Sequence, residues 1–163
     1  MTKEWDLKEL VNTADKKKAI IVDIDGTLAL MNGKRTPFEW EKVYEDDVNE
    51  WVLGLIKPFI ACHDVKLILL SGRSDICRAK TMKWLREKCW LDTKKSDDPD
   101  VILLMRPQEQ LYEKDAKIKF EIYYNHIKPF YEVLFVIDDR KQVVDMWRNV
   151  AGLPVAQVAE GNF

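Results

Sequence analysis

The sequence predicts an α/β domain with a mostly parallel sheet covered by helices on both faces. Three observations predict it. Short runs such as "KAIIVDI", "VKLILL", "VILLM" and "VLFVI" are apolar at consecutive positions, as strands buried on both faces must be. Segments with helical spacing separate these runs, the alternation that builds parallel sheets. Three of the runs end in chemistry-bearing polar residues: Asp23 and Asp25, Ser71 and Arg73, and Asp138 and Asp139. The carboxyl ends of parallel strands share one edge, where such sheets bind ligands.

The elements follow in order. Leu7, Leu10, Val11 and Ala14 have helical spacing and predict an N-terminal helical extension within residues 1–17, ahead of a domain spanning 18–163. "KAIIVDI" is the first strand. Over residues 46–60, Val48, Trp51, Val52, Leu55, Ile56 and Phe59 form one apolar stripe, so this segment reads as a helix with Trp51 in the core. "VKLILL" is the second strand, and residues 75–90 read as a helix. "DTKKSDDPD" is a loop marked by Pro99, and "VILLM" is the third strand. Residues 113–127 and 141–150 read as helices on either side of the fourth strand, "VLFVI". Trp147 is expected in the core. "PVAQV" is a short last strand.

Composition narrows the function classes. The chain has 163 residues, enough for one domain with a core, and is 47% hydrophobic and 33% charged. Its longest apolar runs fall far short of the roughly 20 residues of a membrane helix. "MTKEWDLKEL" lacks the apolar centre of a signal peptide. Three cysteines without CxxC spacing argue against a disulfide framework and for a reducing, cytoplasmic setting. Cys62 and His63 adjoin, but no second ligand pair follows to complete a zinc site. The net charge of −2 excludes a general nucleic-acid coat. Residues 73–95 nevertheless carry eight basic side chains against three acidic ones. That excess reads either as a solvated helix face or as a footprint for phosphates. Trp84 and Trp90 lie in this segment, where packing is favoured over base stacking. His126 reads as structural.

The strand-end residues imply more specific chemistry. Residues i and i+2 of an extended segment point the same way, so Asp23 and Asp25 can face one site. Asp138 and Asp139 add two more carboxylates. Such a cluster repels itself unless a cation joins it, and oxygen ligands without sulfur favour a hard ion such as Mg²⁺. A hard ion held by carboxylates commonly serves a phosphate. One Asp pair alone reads as well as a turn or helix cap, but charged or polar pairs at three strand ends do not.

These residues also carry a resemblance. "DIDGT", Ser71 in "LILLSGR", a later Lys, and the acidic pair in "FVIDDR" resemble the four motifs of the haloacid dehalogenase superfamily of phosphatases. "DIDGTLALMNGKR", "SGR", "KDAKIKFEIYYNHI", "IDDRKQVVDMW" and "QVAEGNF", in that order, resemble one branch of it: the phosphatase domain of phage-type polynucleotide kinase-phosphatases. The resemblance runs from about residue 19 to the C-terminus. It implies a Rossmann-like sheet. It also implies Asp23 as nucleophile, forming an aspartyl-phosphate, and Asp25 as general acid and then general base. Mg²⁺ would be held by Asp23, the backbone carbonyl of Asp25, and Asp139, with Asp138 nearby. Ser71 would bind a phosphoryl oxygen, and Lys119 would neutralise phosphate charge. Arg35, or Lys34 in another register, together with Arg73 and Asp115 would serve substrate binding. Arg106 matches a further basic position if one residue is inserted between it and Lys114.

The implied activity is a Mg²⁺-dependent 3′-phosphatase acting on DNA or RNA ends. No GxxxxGK[ST] motif occurs here, so no kinase activity is expected of this chain, and separate kinase or ligase proteins are candidate partners. No membrane partner is implied, and the setting would be the host cytoplasm if the protein is phage-encoded. The spacing between Asp23 and Ser71 leaves no room for a large cap domain, so the site should accept a polymer end. The alternatives are a phosphatase of free nucleotides or small metabolites and, in a different class, a receiver-like phosphoacceptor. Asp25 argues against the last, since a stable phospho-switch gains nothing from a residue poised to hydrolyse it.

Overall fold

A computed structural model of the protein describes residues 16–93 and 96–161. The helix expected over residues 5–14 lies outside the described residues. Five parallel strands form the sheet: β1 (Lys17–Val22), β4 (Lys66–Ser74), β5 (Val101–Arg106), β6 (Tyr131–Arg140) and β7 (Val155–Gly161), in the order β5-β4-β1-β6-β7. β1 lies at the centre, paired with β4 on one side and β6 on the other. Two further strands, β2 (Ala29–Leu30) and β3 (Asp47–Val48), pair antiparallel in a small separate flap. The apolar patterning does not announce these two-residue strands, because such short pieces carry no period to read.

Alternation along each strand divides the core in two. Ile20, Val22, Leu67 and Leu69 pack on one face of the sheet with α1 (Glu50–His63) and α2 (Arg78–Lys88). Ala19, Ile21, Ile68 and Leu70 pack on the other, with α3 (Asp115–Ile122) and α4 (Lys141–Met146). Each of α3 and α4 continues into one wider π turn, Tyr123–Ile127 and Trp147–Ala151. Burial on both faces is why these strands are uninterrupted apolar runs. Among the described residues no helix is long and apolar enough to cross a membrane.

Two sequence-based expectations need correction. α1 begins at Glu50, not at residue 46, and buries Val52, Leu53 and Ile56, with Phe59 and Ile60 packed alongside. Trp51 is 53% exposed and Leu55 faces outward too. The cause lies just before the helix. The Asn49 side chain donates to the Thr27 carbonyl (2.8 Å), and its backbone N–H donates to the Leu28 carbonyl (2.8 Å). This anchor sets the rotation of α1, which turns toward Leu53 and Ile60, apolar residues outside the stripe read from sequence. Trp90 is exposed as well, at a positive φ of 58° just beyond α2. Trp84 and Trp147 are fully buried.

β4 also continues past its apolar run through Ser71, Gly72 and Arg73, and β6 continues through Asp138 and Asp139. The chemistry-bearing residues therefore extend the strands themselves and share the carboxyl edge of the sheet.

Candidate active site

Asp23 follows β1 directly, and its backbone N–H donates to the Ile137 carbonyl (2.9 Å). Its carboxylate is buried and accepts a hydrogen bond from Lys119 Nζ (2.7 Å). The same ammonium lies 3.0 Å from Asp138 Oδ2 and 3.6 Å from Asp115 Oδ2. Lys119 reaches this position from the second turn of α3, which Ile118 and Ile122 hold against the sheet. Asp138 accepts from the backbone N–H groups of Asp139 (3.0 Å) and Arg140 (3.3 Å), and Trp147 Nε1 approaches its other oxygen (3.4 Å). Thr27 Oγ1 donates to Asp139 Oδ1 (3.2 Å).

Carboxylate oxygens of Asp23, Asp138 and Asp139 lie within 4.8 Å of one another, all three residues being buried. Burial raises the Asp23 carboxyl well above its usual range. Lys119 opposes that rise, and the neighbouring Asp138 and Asp139 add to it. Burial, and then Asp138, raise Asp139 as well. A cation at this cluster would relieve both costs, and three oxygen donors suit a hard ion. Gly26 adapts the backbone to the cluster: its φ is +84°, and a Cβ there would stand 2.3 Å from Asp139 Oδ2.

Asp25 has a different environment. Arg73 grips it through Nε (3.0 Å to Oδ2) and Nη2 (2.7 Å to Oδ1), and Arg35 Nη2 adds a bond of 2.9 Å. Burial alone would raise this carboxyl. The charge and hydrogen bonds of Arg73, and then of Arg35, outweigh burial and hold it below its usual range. Both arginines also bind Asp46, a fully buried residue: Arg35 through Nε and Nη2 (2.7 Å each), Arg73 through Nη2 (2.7 Å). Asp46 thus balances the second of two adjacent buried guanidiniums. Its carbonyl accepts from Trp84 Nε1 (2.8 Å) and Lys88 Nζ (3.1 Å), which ties the quartet to α2.

The structure also distinguishes the two candidate basic residues of "NGKR". Arg35 turns inward with its side chain wholly buried, whereas Lys34 pairs with Asp47 at the surface. Ser71 is buried, and its Oγ accepts from the Arg73 backbone N–H (3.1 Å). Arg106 donates to the carbonyls of Gly72 (2.8 Å), Gln110 (3.0 Å) and Glu113 (2.5 Å) and to Asp115 Oδ1 (3.2 Å). From the end of β5 it therefore braces β4, the loop after β5 and the start of α3, with most of its donors committed to protein acceptors. A cavity of about 260 Å³ opens over Asp23, Asp25 and Asp139, and Gly72, Arg73, Arg106, Asp115, Lys119 and Arg140 line it too. Its apolar lining comes from Met31, Pro37 and Phe38.

Beyond Arg73, the basic segment is mostly engaged locally. Arg78 pairs with Asp75, Lys80 donates to the Glu41 carbonyl, and Lys83 and Lys88 flank the Tyr44 ring at 4.8 and 4.9 Å. Sequence reasoning missed Asp46, Thr27 and Arg140. Asp46 lies on the insertion that carries Arg35, just before the two-residue β3 and away from the carboxyl ends of the five-stranded sheet, so the strand-edge logic could not select it. Thr27 and Arg140 adjoin residues that the logic did select.

A carboxylate-bearing turn after the central strand, an acidic pair at the end of its neighbour β6, and a lysine held between them are the arrangement expected of a haloacid dehalogenase-type phosphatase. The fold agrees. A class C acid phosphatase from Bacillus anthracis aligns over 94% of this chain and 73% of its own, with a TM-score of 0.56 at 14% identity, a likeness of fold alone. Residues 17–163 match the family described as the polynucleotide kinase PNKP phosphatase domain, and the chain belongs to that family. A chain in the structure of the Pnkp1/Rnl/Hen1 RNA repair complex is 40% identical, with a TM-score of 0.79 over 91% of this chain and 44% of that one. A protein of Autographa californica nuclear polyhedrosis virus, named as a bifunctional polynucleotide kinase/RNA ligase, is 33% identical over 134 residues. That match covers 82% of this chain and 18% of the viral protein. The chain therefore spans less than half the length of these two relatives.

Proposed function

We propose that the protein removes the terminal 3′-phosphate from DNA or RNA ends in nucleic-acid end repair, through a phosphoryl group carried on Asp23. The observation that carries this reading is the pairing of environments at Asp23 and Asp25. One carboxylate lies against Lys119 in an acidic cluster, the other is clamped by two arginines, and both open on one cavity. In the first step an Asp23 oxygen bonds to phosphorus while the bond from phosphorus to the 3′ oxygen breaks. Asp25 gives that oxygen a proton. In the second step water attacks phosphorus, Asp25 takes its proton, and the bond to Asp23 breaks to release inorganic phosphate. Lys119 offsets repulsion between Asp23 and the anionic substrate. Mg²⁺, held by Asp23, Asp139 and the backbone carbonyl of Asp25, with Asp138 alongside, would supply further charge neutralisation at the phosphoryl oxygens.

The first step needs Asp25 protonated, whereas Arg35 and Arg73 hold it ionised in the substrate-free protein. The substrate resolves this conflict. Arg73 lines the cavity, so a substrate phosphate there competes for its guanidinium, and each hydrogen bond that Asp25 loses makes its protonation easier. Arg73 thus binds the substrate, and the buried Arg35 helps to set the charge state of the acid. Ser71 and Asp115 act at the edges of the site, on the phosphoryl group and on Lys119 respectively. The 3′-hydroxyl product is what a ligase requires, so ligase and kinase activities acting on the same ends are its natural partners.

The test compares a 3′-phosphorylated DNA oligonucleotide, its RNA counterpart and free 3′-mononucleotides, with Mg²⁺ and with a chelator. The expected result is metal-dependent release of phosphate from the oligonucleotides. Efficient hydrolysis of mononucleotides beside intact oligonucleotides would instead identify a small-molecule phosphatase.

A further inference from the structure

One wall of the cavity is unlike the rest. Charged side chains and glycines form most of the lining, but Met31, Pro37 and Phe38 give it an apolar part, carried by the segment whose Arg35 binds Asp25. Phe38 is 78% exposed. A lone exposed aromatic is ordinary, but this one is held in place from both sides. Three residues before it, Arg35 is buried among Asp25 and Asp46 and also donates to the Thr36 carbonyl (3.0 Å). One residue after it, Glu39 accepts from the Thr36 backbone N–H (2.7 Å) and pairs with Lys42 (2.6 Å). The Phe38 ring meets the Trp40 ring edge to face (6.4 Å, 72°), and Trp40 packs on the core. The loop therefore presents a fixed apolar ring to solvent at the mouth of a phosphate-handling cavity, at little cost in entropy on binding.

On the reading of the site given above, we propose that Phe38 is a stacking platform for the nucleobase of the terminal nucleotide. Each nucleobase has a π face that can stack on an aromatic ring whatever its sequence. A platform beside the phosphate site lets the protein demand a nucleotide without selecting which one. A small phosphorylated metabolite without a flat ring gains nothing from it.

The experiment measures kcat/KM on two 3′-phosphorylated oligonucleotides, one with an ordinary terminal base and one abasic at that position. Wild type, Phe38→Ala, Phe38→Leu, Phe38→Trp and Tyr112→Ala are compared. Tyr112 is a fully exposed aromatic that does not line the cavity. Loss of the base is expected to cost wild type, Phe38→Trp and Tyr112→Ala roughly tenfold or more, the scale of one base–aromatic stack. It should cost Phe38→Ala and Phe38→Leu several times less. If Phe38→Ala discriminates between the two substrates as strongly as wild type, the platform is wrong. The same holds if wild type does not discriminate at all while turning over both. If wild type hydrolyses p-nitrophenyl phosphate but neither oligonucleotide, the nucleic-acid reading itself falls, and the platform with it.

Discussion

Asp23 and Asp25 are separated by one residue, yet their carboxyls are pushed in opposite directions. Burial and neighbouring acids raise one, and two guanidiniums lower the other. In the free protein this contrast is opposite to the charge states the proposed first step needs, so Asp25 can act as an acid only once its arginine bonds are loosened. The proposed roles of Asp25 yield a kinetic prediction. Nitrophenolate leaves without needing a proton, whereas a 3′ alkoxide does not. With p-nitrophenyl phosphate, Asp25→Asn should therefore release a burst of nitrophenol approaching one equivalent and then stall, because the base for the second step is gone. With a 3′-phosphorylated oligonucleotide it should lose roughly 10²–10⁴-fold in rate. Stopped-flow absorbance would show the burst. A linear nitrophenol progress curve at wild-type rate would remove Asp25 from the second step, and undiminished turnover of the oligonucleotide would remove it from the first.

The same residue predicts a pH dependence of stability. The folded-state value of Asp25 is lowered from its ordinary 3.8, so its ion pairs stabilise the fold above that pH. That contribution is lost as pH falls through the lower folded-state value. Urea midpoints of wild type and Asp25→Asn should differ at neutral pH and converge as the pH falls below 3.8. A gap that widens on acidification would contradict the direction of the shift.

At the level of elements, local anchors decide which face each helix presents. α3 is held by Ile118 and Ile122 so that Lys119, between them in sequence, points along the sheet edge to Asp23 and Asp138. α1 is set by Asn49, which leaves Trp51 and Leu55 outside and Val52 and Ile56 inside. The stripe read from sequence contains all four residues. Thermal and urea unfolding can separate them: Ile56→Ala should cost about 2–5 kcal/mol, and Trp51→Ser within about 0.5 kcal/mol of nothing. Comparable losses at both positions would mean that the helix is rotated from its described setting. The flap formed by β2 and β3 shows a different use of an element. It is too small to cap the site, but it encloses the insertion that delivers Arg35, Phe38 and Asp46.

For the whole molecule, the net charge of −2 says little about the cavity, where Arg73, Arg106, Lys119 and Arg140 stand among Asp23, Asp25, Asp115 and Asp139. If a polymer end docks there, the logarithm of kcat/KM on an oligonucleotide should fall steeply and linearly with the logarithm of salt concentration. The dependence on p-nitrophenyl phosphate should be much shallower. Equal slopes for the two substrates would leave no role for phosphates beyond the scissile one.

The sequence by itself determined the α/β class, the four apolar runs of the central strands and the gathering of Asp23, Asp25, Asp138 and Asp139 on one edge. The reason is that a strand buried on both faces must be apolar throughout, so a polar residue at its end stands out. Only the tertiary structure decided the inward turn of Arg35, the commitment of most Arg106 donors to backbone carbonyls, the outward face of Trp51, and the place of Asp46 between two arginines. Those outcomes depend on contacts between residues far apart in the chain. A buried guanidinium needs a partner, but nothing in the order of residues says which carboxylate will supply it.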